Sequence, residues 1–293
     1  MIKFLRKTTA IVFLFLSLTS YSQQPSTEAM LTKKGHIIQS VINEKAYQLY
    51  VSLPSGYDPV DAARYPVLYV LDGNMNFPLI VPIHDLLDSS GEIEKVIIIA
   101  IGDRDQSAQT WLISRALDYT PSNDPVANAD IASGQNIASD RIKSGGADNF
   151  AKVLQEEIIP YIDSHYKTTN DRGIAGHSLG GLFAAHCLIN KQGIFNRYGI
   201  SSPSLFWDNS KIISEEKLFA EKHKTLIAKV FISIGSLEPE ILQSSISPFI
   251  IALKTHNYKG LVLSSYRFEN ETHTSVVAAS ISRTLRELYG RKL

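Results

Sequence analysis

Residues 171–186 read DRGIAGHSLGGLFAAH. A short apolar step ends at Ile174-Ala175. It meets Gly176-His177-Ser178-Leu179-Gly180-Gly181, and a helix-like run resumes at Leu182. The pattern predicts a strand over 172–176, a sharp turn, and a helix over 179–190. One hydroxyl held among glycines between a strand and a helix is the setting of a nucleophile elbow, where a strained backbone lifts the serine above the sheet edge. Gly176 and Gly180 are expected to be glycine because a Cβ at either would collide across so tight a turn. The helix N-terminus behind Ser178 presents free N–H groups and positive dipole to a developing oxyanion.

Outward from this corner, the chain alternates strand and helix. Pro66–Leu71 and Lys95–Ile101 are continuous apolar runs, the signature of strands covered on both faces of a parallel sheet. Further strands are expected over 172–176, 196–201, 229–234 and 261–268. Helices are expected near 77–89, 147–163, 179–190, 210–222, 239–254 and 275–289. Residues 36–54 alternate apolar and polar around Asn43-Glu44-Lys45, which reads as a hairpin. The fold class is therefore α/β: a mainly parallel central sheet with helices on both faces and an antiparallel N-terminal hairpin. Residues 102–146 break the rhythm with Pro121, Pro125, Gly134, Gly145 and Gly146. They read as one long loop after a strand's carboxyl end, where open α/β sheets bind ligands.

Composition narrows the class. The 293 residues are 44% hydrophobic, enough for a substantial core. Lys3, Arg6 and Lys7 precede the apolar run Ile11–Leu18, and small residues stand at Ser20 and Ser22. Residues 1–22 therefore read as a secretory signal cleaved before Gln23, too short for a membrane span, leaving 23–293 as one domain. The protein is expected to be exported, periplasmic or secreted. The whole chain has a net charge of +0, so losing that segment's three cations leaves the mature protein acidic. No basic run suggests nucleic acid as a partner. Cys187 is the single cysteine and reads as a buried apolar residue.

A serine hydroxyl needs a base. Chain order in an elbow-type site runs Ser, acid, His. His273 follows the last expected strand and precedes the last helix, at the sheet edge that holds Ser178. His256 and His223 precede strands and face the opposite edge; His186 lies within the helix after the elbow; His36, His84 and His165 lie upstream. The acid stays open: Glu238, three residues beyond Gly235, then Glu240 or Asp208, or none. One oxyanion donor is the N–H of Leu179, and the other comes from the loop LDGNMNF (71–77), where Gly73 permits a close turn and Asn74 supplies the N–H.

The segments PVLYVLDG, RALDYTP, GHSLGG, SSPSLFWDN and ETHTSV occur in that order. Together they resemble the putative-esterase family of α/β hydrolases over about residues 36–290. That family includes siderophore trilactone esterases, esterase D and the antigen 85 mycolyltransferases, and the likeness is closest to the siderophore-esterase branch. It implies an α/β-hydrolase fold and Ser178 and His273 as catalytic residues. It supports Asn74 and leaves the acid open, since some siderophore esterases work with a Ser–His pair. The expected activity is ester hydrolysis through an acyl-enzyme, with siderophore trilactones among the substrates. The alternatives are an acyltransferase on the same fold and a non-catalytic binding protein.

No His-Glu-x-x-His, paired Cys-x-x-Cys or phosphate loop is present, so no cofactor or metal is expected. Ser164–Lys167 reads as a helix end rather than a Ser-x-x-Lys nucleophile. Arg104, Arg115 and Arg141 fall in the long loop of an otherwise acidic protein. Cations near a site favour an anionic ligand, such as a ferric catecholate; the competing reading pairs them with Asp103, Asp105 and Asp140. Arg104, Arg115 and Trp207 are the substrate-binding candidates.

Overall fold

The computed structural model describes residues 35–105 and 107–291. The expected signal segment lies outside them. The chain opens with β1 (Gly35–Gln39), β2 (Ala46–Ser52) and β3 (Tyr65–Val70), followed by α1 (Gly73–Ser89) and β4 (Ile97–Asp103). Then come α2 (Ala108–Asp118), α3 (Pro125–Gly134) and α4 (Ala147–Val153), which runs through a π turn (Leu154–Ile158) into α5 (Ile159–His165). The remainder alternates: β5 (Thr168–His177), α6 (Leu179–Asn190), β6 (Arg197–Ser201), α7 (Trp207–Lys222), β7 (Thr225–Gly235), α8 (Glu240–His256), β8 (Lys259–Phe268) and α9 (Val276–Tyr289).

The strands form one eight-stranded sheet in the order β1-β2-β4-β3-β5-β6-β7-β8. β1 and β2 make the expected hairpin, β2 joins β4 antiparallel, and every pairing from β4 to β8 is parallel. β3 lies between β4 and β5, so the strand order reverses there. That switch point opens a crevice at the strands' carboxyl ends, and the elbow at the end of β5 and the loop after β3 both fall at it.

Each face of the sheet carries its own apolar layer. Val70, Ile98, Phe77, Ile80, Leu285 and Leu288 join the sheet to α1 and α9 on one side. Tyr69, Ile174, Phe150, Phe183, Ile246 and Phe249 join it to α4, α6 and α8 on the other. Cys187 is free and buried on α6, and burial pushes its thiol up. Among the described residues no helix is long and apolar enough to cross a membrane.

Residues 102–146 are not the single loop that their Pro and Gly content suggests. They fold as α2, α3 and a 3-10 turn at Ser139–Arg141. The caps explain the difference: Ser107 accepts from the Thr110 N–H, and Asp124 accepts from the Val126 and Ala127 N–H groups with Pro125 in the first turn. α1 also starts at Gly73 rather than 77, because Asn76 ties its first turn to the Leu71 carbonyl at 2.9 Å.

Candidate active site

Ser178 follows the last residue of β5 and precedes α6, with φ 61° and ψ −119°. A non-glycine residue there stores on the order of 1–3 kcal/mol of backbone strain. The surroundings hold it: its N–H donates to Ser201 O at 3.0 Å, and its carbonyl accepts from Leu182 N at 3.0 Å and Ser204 N at 3.1 Å. Gly176 is required, since a Cβ would lie 2.4 Å from the Gly180 carbonyl. Gly180 is not: a Cβ there meets nothing nearer than 3.4 Å. The second crowded glycine is Gly181, whose Cβ would come within 2.8 Å of Ser201 O, because α6 packs against the β6 turn one residue later than expected.

Glu238 and His273 meet across the loops after β7 and β8. His273 Nδ1 lies 2.8 Å from Glu238 Oε2. Glu238 Oε1 accepts from Ser202 Oγ at 2.6 Å and from the Gly235 N–H at 2.7 Å. Burial pushes this carboxyl up, but the hydrogen bonds from His273, Ser202 and Gly235 outweigh burial and hold it below its ordinary value. Glu240 is exposed in the first turn of α8. Asp208 accepts from Ser122 Oγ at 2.6 Å and serves the loop instead. Of the three acids named from sequence, Glu238 is the one brought to His273.

Among the described residues no hydrogen bond joins Ser178 Oγ to His273. Ser178 Oγ stands 3.4 Å from Ser204 Oγ, and the His273 ring packs on His177, the residue before the serine, with centroids 4.5 Å apart. Nucleophile–base contacts are often long in a ligand-free site and close when substrate binds.

The backbone N–H groups of Leu179 and Asn74 sit in the first turns of α6 and α1, where no residue four back in the helix can accept from them. The Asn74 side chain fixes its loop to β4: Oδ1 accepts from Asp103 N at 2.7 Å, and Nδ2 donates to Asp103 O at 3.0 Å. Gly73 approaches so closely that a Cβ would lie 2.6 Å from Ile101 C.

Arg115 and Trp207 differ from their sequence reading. Arg115 is 9% exposed. It donates from Nε to Asp72 Oδ1 at 3.0 Å, from Nη2 to Asp72 Oδ2 at 3.2 Å and from Nη2 to His177 O at 3.3 Å. Its guanidinium lies 4.7 Å from the Trp111 ring centroid. It is thus neither an open cation nor the partner of Asp103, Asp105 or Asp140. Trp207 is buried and donates to Ser122 O at 3.1 Å, which makes it a support for the loop. Arg104 is exposed and lines a cleft with Lys45, Asp105 and Thr110. Arg141 is exposed, 3.5 Å from Gln109 Oε1.

Sequence reasoning missed the clamp on Asp72. This residue holds φ 53° at the mouth of α1. Trp111 Nε1 donates to it at 2.8 Å beside Arg115, and its own N–H donates to Tyr119 Oη at 3.1 Å. The signal was the capped helix around Ser107, which places Trp111, Arg115 and Tyr119 at four-residue spacing on one face. Ser202 and Ser204 lay inside a quoted motif, but nothing in the sequence tied them to the acid or the nucleophile.

Comparison with known proteins bears on the family and the fold. The family model described as "Putative esterase" matches residues 40–257. The ferri-bacillibactin esterase BesA of Bacillus subtilis is 27% identical over 251 residues, covering 83% of this chain and 84% of that protein. The apo-salmochelin esterase of Escherichia coli O6:H1 is 29% identical over 259 residues, covering 86% and 77%. Among solved structures, the BES protein of Bacillus cereus superimposes with a TM-score of 0.73 at 27% identity, covering 98% of this chain and 99% of that one. The sheet, its flanking helices and these neighbours are those of an α/β-hydrolase fold.

Proposed function

The chain belongs to the Putative esterase family, and from that premise we propose an exported serine esterase that works through an acyl-enzyme on siderophore-type esters. The family and its esterase relatives make it a carboxylic ester hydrolase. Residues 1–22 are assigned as the export signal and 23–293 as one catalytic domain.

Ser178 Oγ attacks the ester carbonyl while its proton passes to His273 Nε2. Glu238 holds the other ring nitrogen and stabilises the imidazolium. The N–H groups of Leu179 and Asn74 receive the oxyanion. Collapse breaks the C–O bond, the departing alkoxide takes the proton from His273, and water repeats the sequence on the acyl-enzyme. The observation that supports this most is a strained serine at the end of β5, on the sheet edge that also carries a buried Glu238 bonded to His273.

The substrate class follows the relatives. BesA is a ferri-bacillibactin esterase, and an enterobactin hydrolase, IroE, 27% identical with a TM-score of 0.61, is solved in complex with DFP. Ferric catecholates are anionic, and exposed Arg104 is the candidate cation for such a ligand. Purified protein is expected to take a fluorophosphonate label that Ser178→Ala abolishes, and to turn over ferric catecholate trilactones better than feruloyl or simple acyl esters. Arg104→Ala is expected to slow the ferric trilactone several-fold more than p-nitrophenyl acetate. Persistent labelling in Ser178→Ala rejects the mechanism, and equal rates on all esters reject the substrate class.

A further inference from the structure

His177 is the last residue of β5, the position that places Ser178. Its side chain turns to the α1 and α9 face, into a cavity lined by Val70, Asn76, Ala175, Ser201 and Ile281. Its ring lies against that of His273, with centroids 4.5 Å apart and planes inclined by 39°. Its Nδ1 is buried without a hydrogen-bond partner in the protein. Its carbonyl accepts from Arg115 at 3.3 Å, so the backbone beneath the ring is tied to the Asp72 clamp.

Four charged or titratable groups face this imidazole, one from each of four surrounding elements. They are His273 after β8, Glu238 after β7, Asp72 after β3, and Arg115 on α2. Asp72 and Arg115 are paired with each other, and Glu238 is engaged by His273. Burial, followed by His273, pushes His177 down to about 4, which favours its neutral form.

A single bond from Nδ1 to Glu238 leaves His273 free to tilt about that contact. A second restraint is needed to keep Nε2 aimed at the serine. We propose that His177 is a positioning residue for His273: a neutral ring face that holds the His273 imidazole in its working plane and favours the cation it becomes. The inference rests on the reading of His273 as the base. In that reaction the Ser178 O–H bond breaks, the His273 Nε2–H bond forms, and the serine oxygen bonds to the acyl carbon. His177 neither takes nor gives a proton. A neutral aromatic face attracts an adjacent cation, whereas a protonated His177 would repel it.

The test is the pH dependence of kcat/KM for p-nitrophenyl acetate in His177→Phe, His177→Leu and His177→Gln, with Tm measured for each. Phe keeps a ring face and cannot titrate; its kcat/KM is expected within about threefold of the parent, with the acid limb unmoved. Leu and Gln lose the face. They are expected to fall about tenfold or more, and the acid limb moves to lower pH by about half a unit, because the charged form of the base loses support. Gln keeps a polar group of similar reach, so the expectation can still be checked if the Leu chain melts early. A Phe variant as damaged as Leu at unchanged Tm would overturn the proposal, as would Leu and Gln variants with the parent's rate and limb. The esterase reading fails separately, if Ser178→Ala hydrolyses the ester at the parent's rate.

Discussion

Two glutamate–histidine pairs in this molecule are nearly identical in isolation. Glu238–His273 and Glu216–His256 each close at 2.8 Å, each glutamate side chain is 0% exposed, and the histidines are 33% and 31% exposed. Their settings differ. Glu238 shares its two oxygens among His273, Ser202 and the Gly235 N–H. Glu216 accepts from both His256 and Tyr258 on Oε1 and leaves Oε2 buried without a partner. The first pair lies in loops that follow β7 and β8. The second joins α7 to the C-terminal end of α8 and to the residue just before β8, at the amino ends of the strands. A carboxylate–imidazole pair is therefore no functional signature by itself; its place relative to the elbow is what gives it work.

The sharpest way to break this contrast is to delete each imidazole. His273→Ala is expected to lower kcat for p-nitrophenyl acetate by on the order of 10⁵-fold, because nucleophile and base act as a unit. His256→Ala is expected to leave kcat within about twofold and to lower Tm instead, since a buried Glu216 loses one of its two hydrogen-bond partners. Comparable losses from the two variants would end the distinction between the pairs.

Neutralising each acid probes the same contrast at smaller amplitude. Glu238→Gln preserves shape but accepts poorly from the His273 N–H, and kcat is expected to fall on the order of 10³-fold. Glu216→Gln is expected to leave kcat unchanged. The pH dependence of stability adds a second reading. The Glu238 carboxyl is held below its ordinary 4.5 in the folded chain, so the unfolded chain binds its proton more readily. Its contribution is therefore fully present above that value and is lost as pH falls through the lower folded one. Urea unfolding from pH 6 to 3 is expected to show a shallower acid loss in Glu238→Gln than in the parent. A full-rate Glu238→Gln enzyme would mean that a Ser–His pair suffices.

The elbow and the parallel sheet were legible because glycine sterics and two-sided burial leave marks on consecutive residues. Gly176 beside Ser178 and the apolar runs of β3 and β4 are local facts. His273 was legible through chain order, which the sheet converts into an edge. Glu238 could be ranked but not separated from Glu240 and Asp208, because its three hydrogen bonds come from residues 3 to 36 positions away. The Asp72–Arg115 pair was hidden for the same reason: its partners are 43 residues apart. Treating 102–146 as a loop turned Arg115 toward solvent, when the capped helix α2 turns it inward. Gly180 was misjudged on geometry finer than the motif itself, since the crowding falls on Gly181.

The smallest expected effect, and the finest test of the contrast, comes from two hydroxyls. Ser202 Oγ donates to Glu238 at 2.6 Å and Tyr258 Oη donates to Glu216 at 2.7 Å, so each supports one of the matched glutamates. Removing either hydroxyl takes a hydrogen bond from a buried carboxyl group, and Ser202→Ala and Tyr258→Phe are each expected to cost about 1–2 kcal/mol by urea unfolding. Stability alone would not tell the pairs apart. Turnover would: Ser202→Ala leaves Glu238 with one donor fewer and freer to rotate away from His273, so kcat is expected to drop several-fold while KM holds. Tyr258→Phe touches nothing that reaches the elbow and is expected to keep the parent's kcat. If Ser202→Ala lost stability alone, Glu238 would be held well enough by Gly235 and His273, and the hydroxyl would belong to the fold rather than to the site.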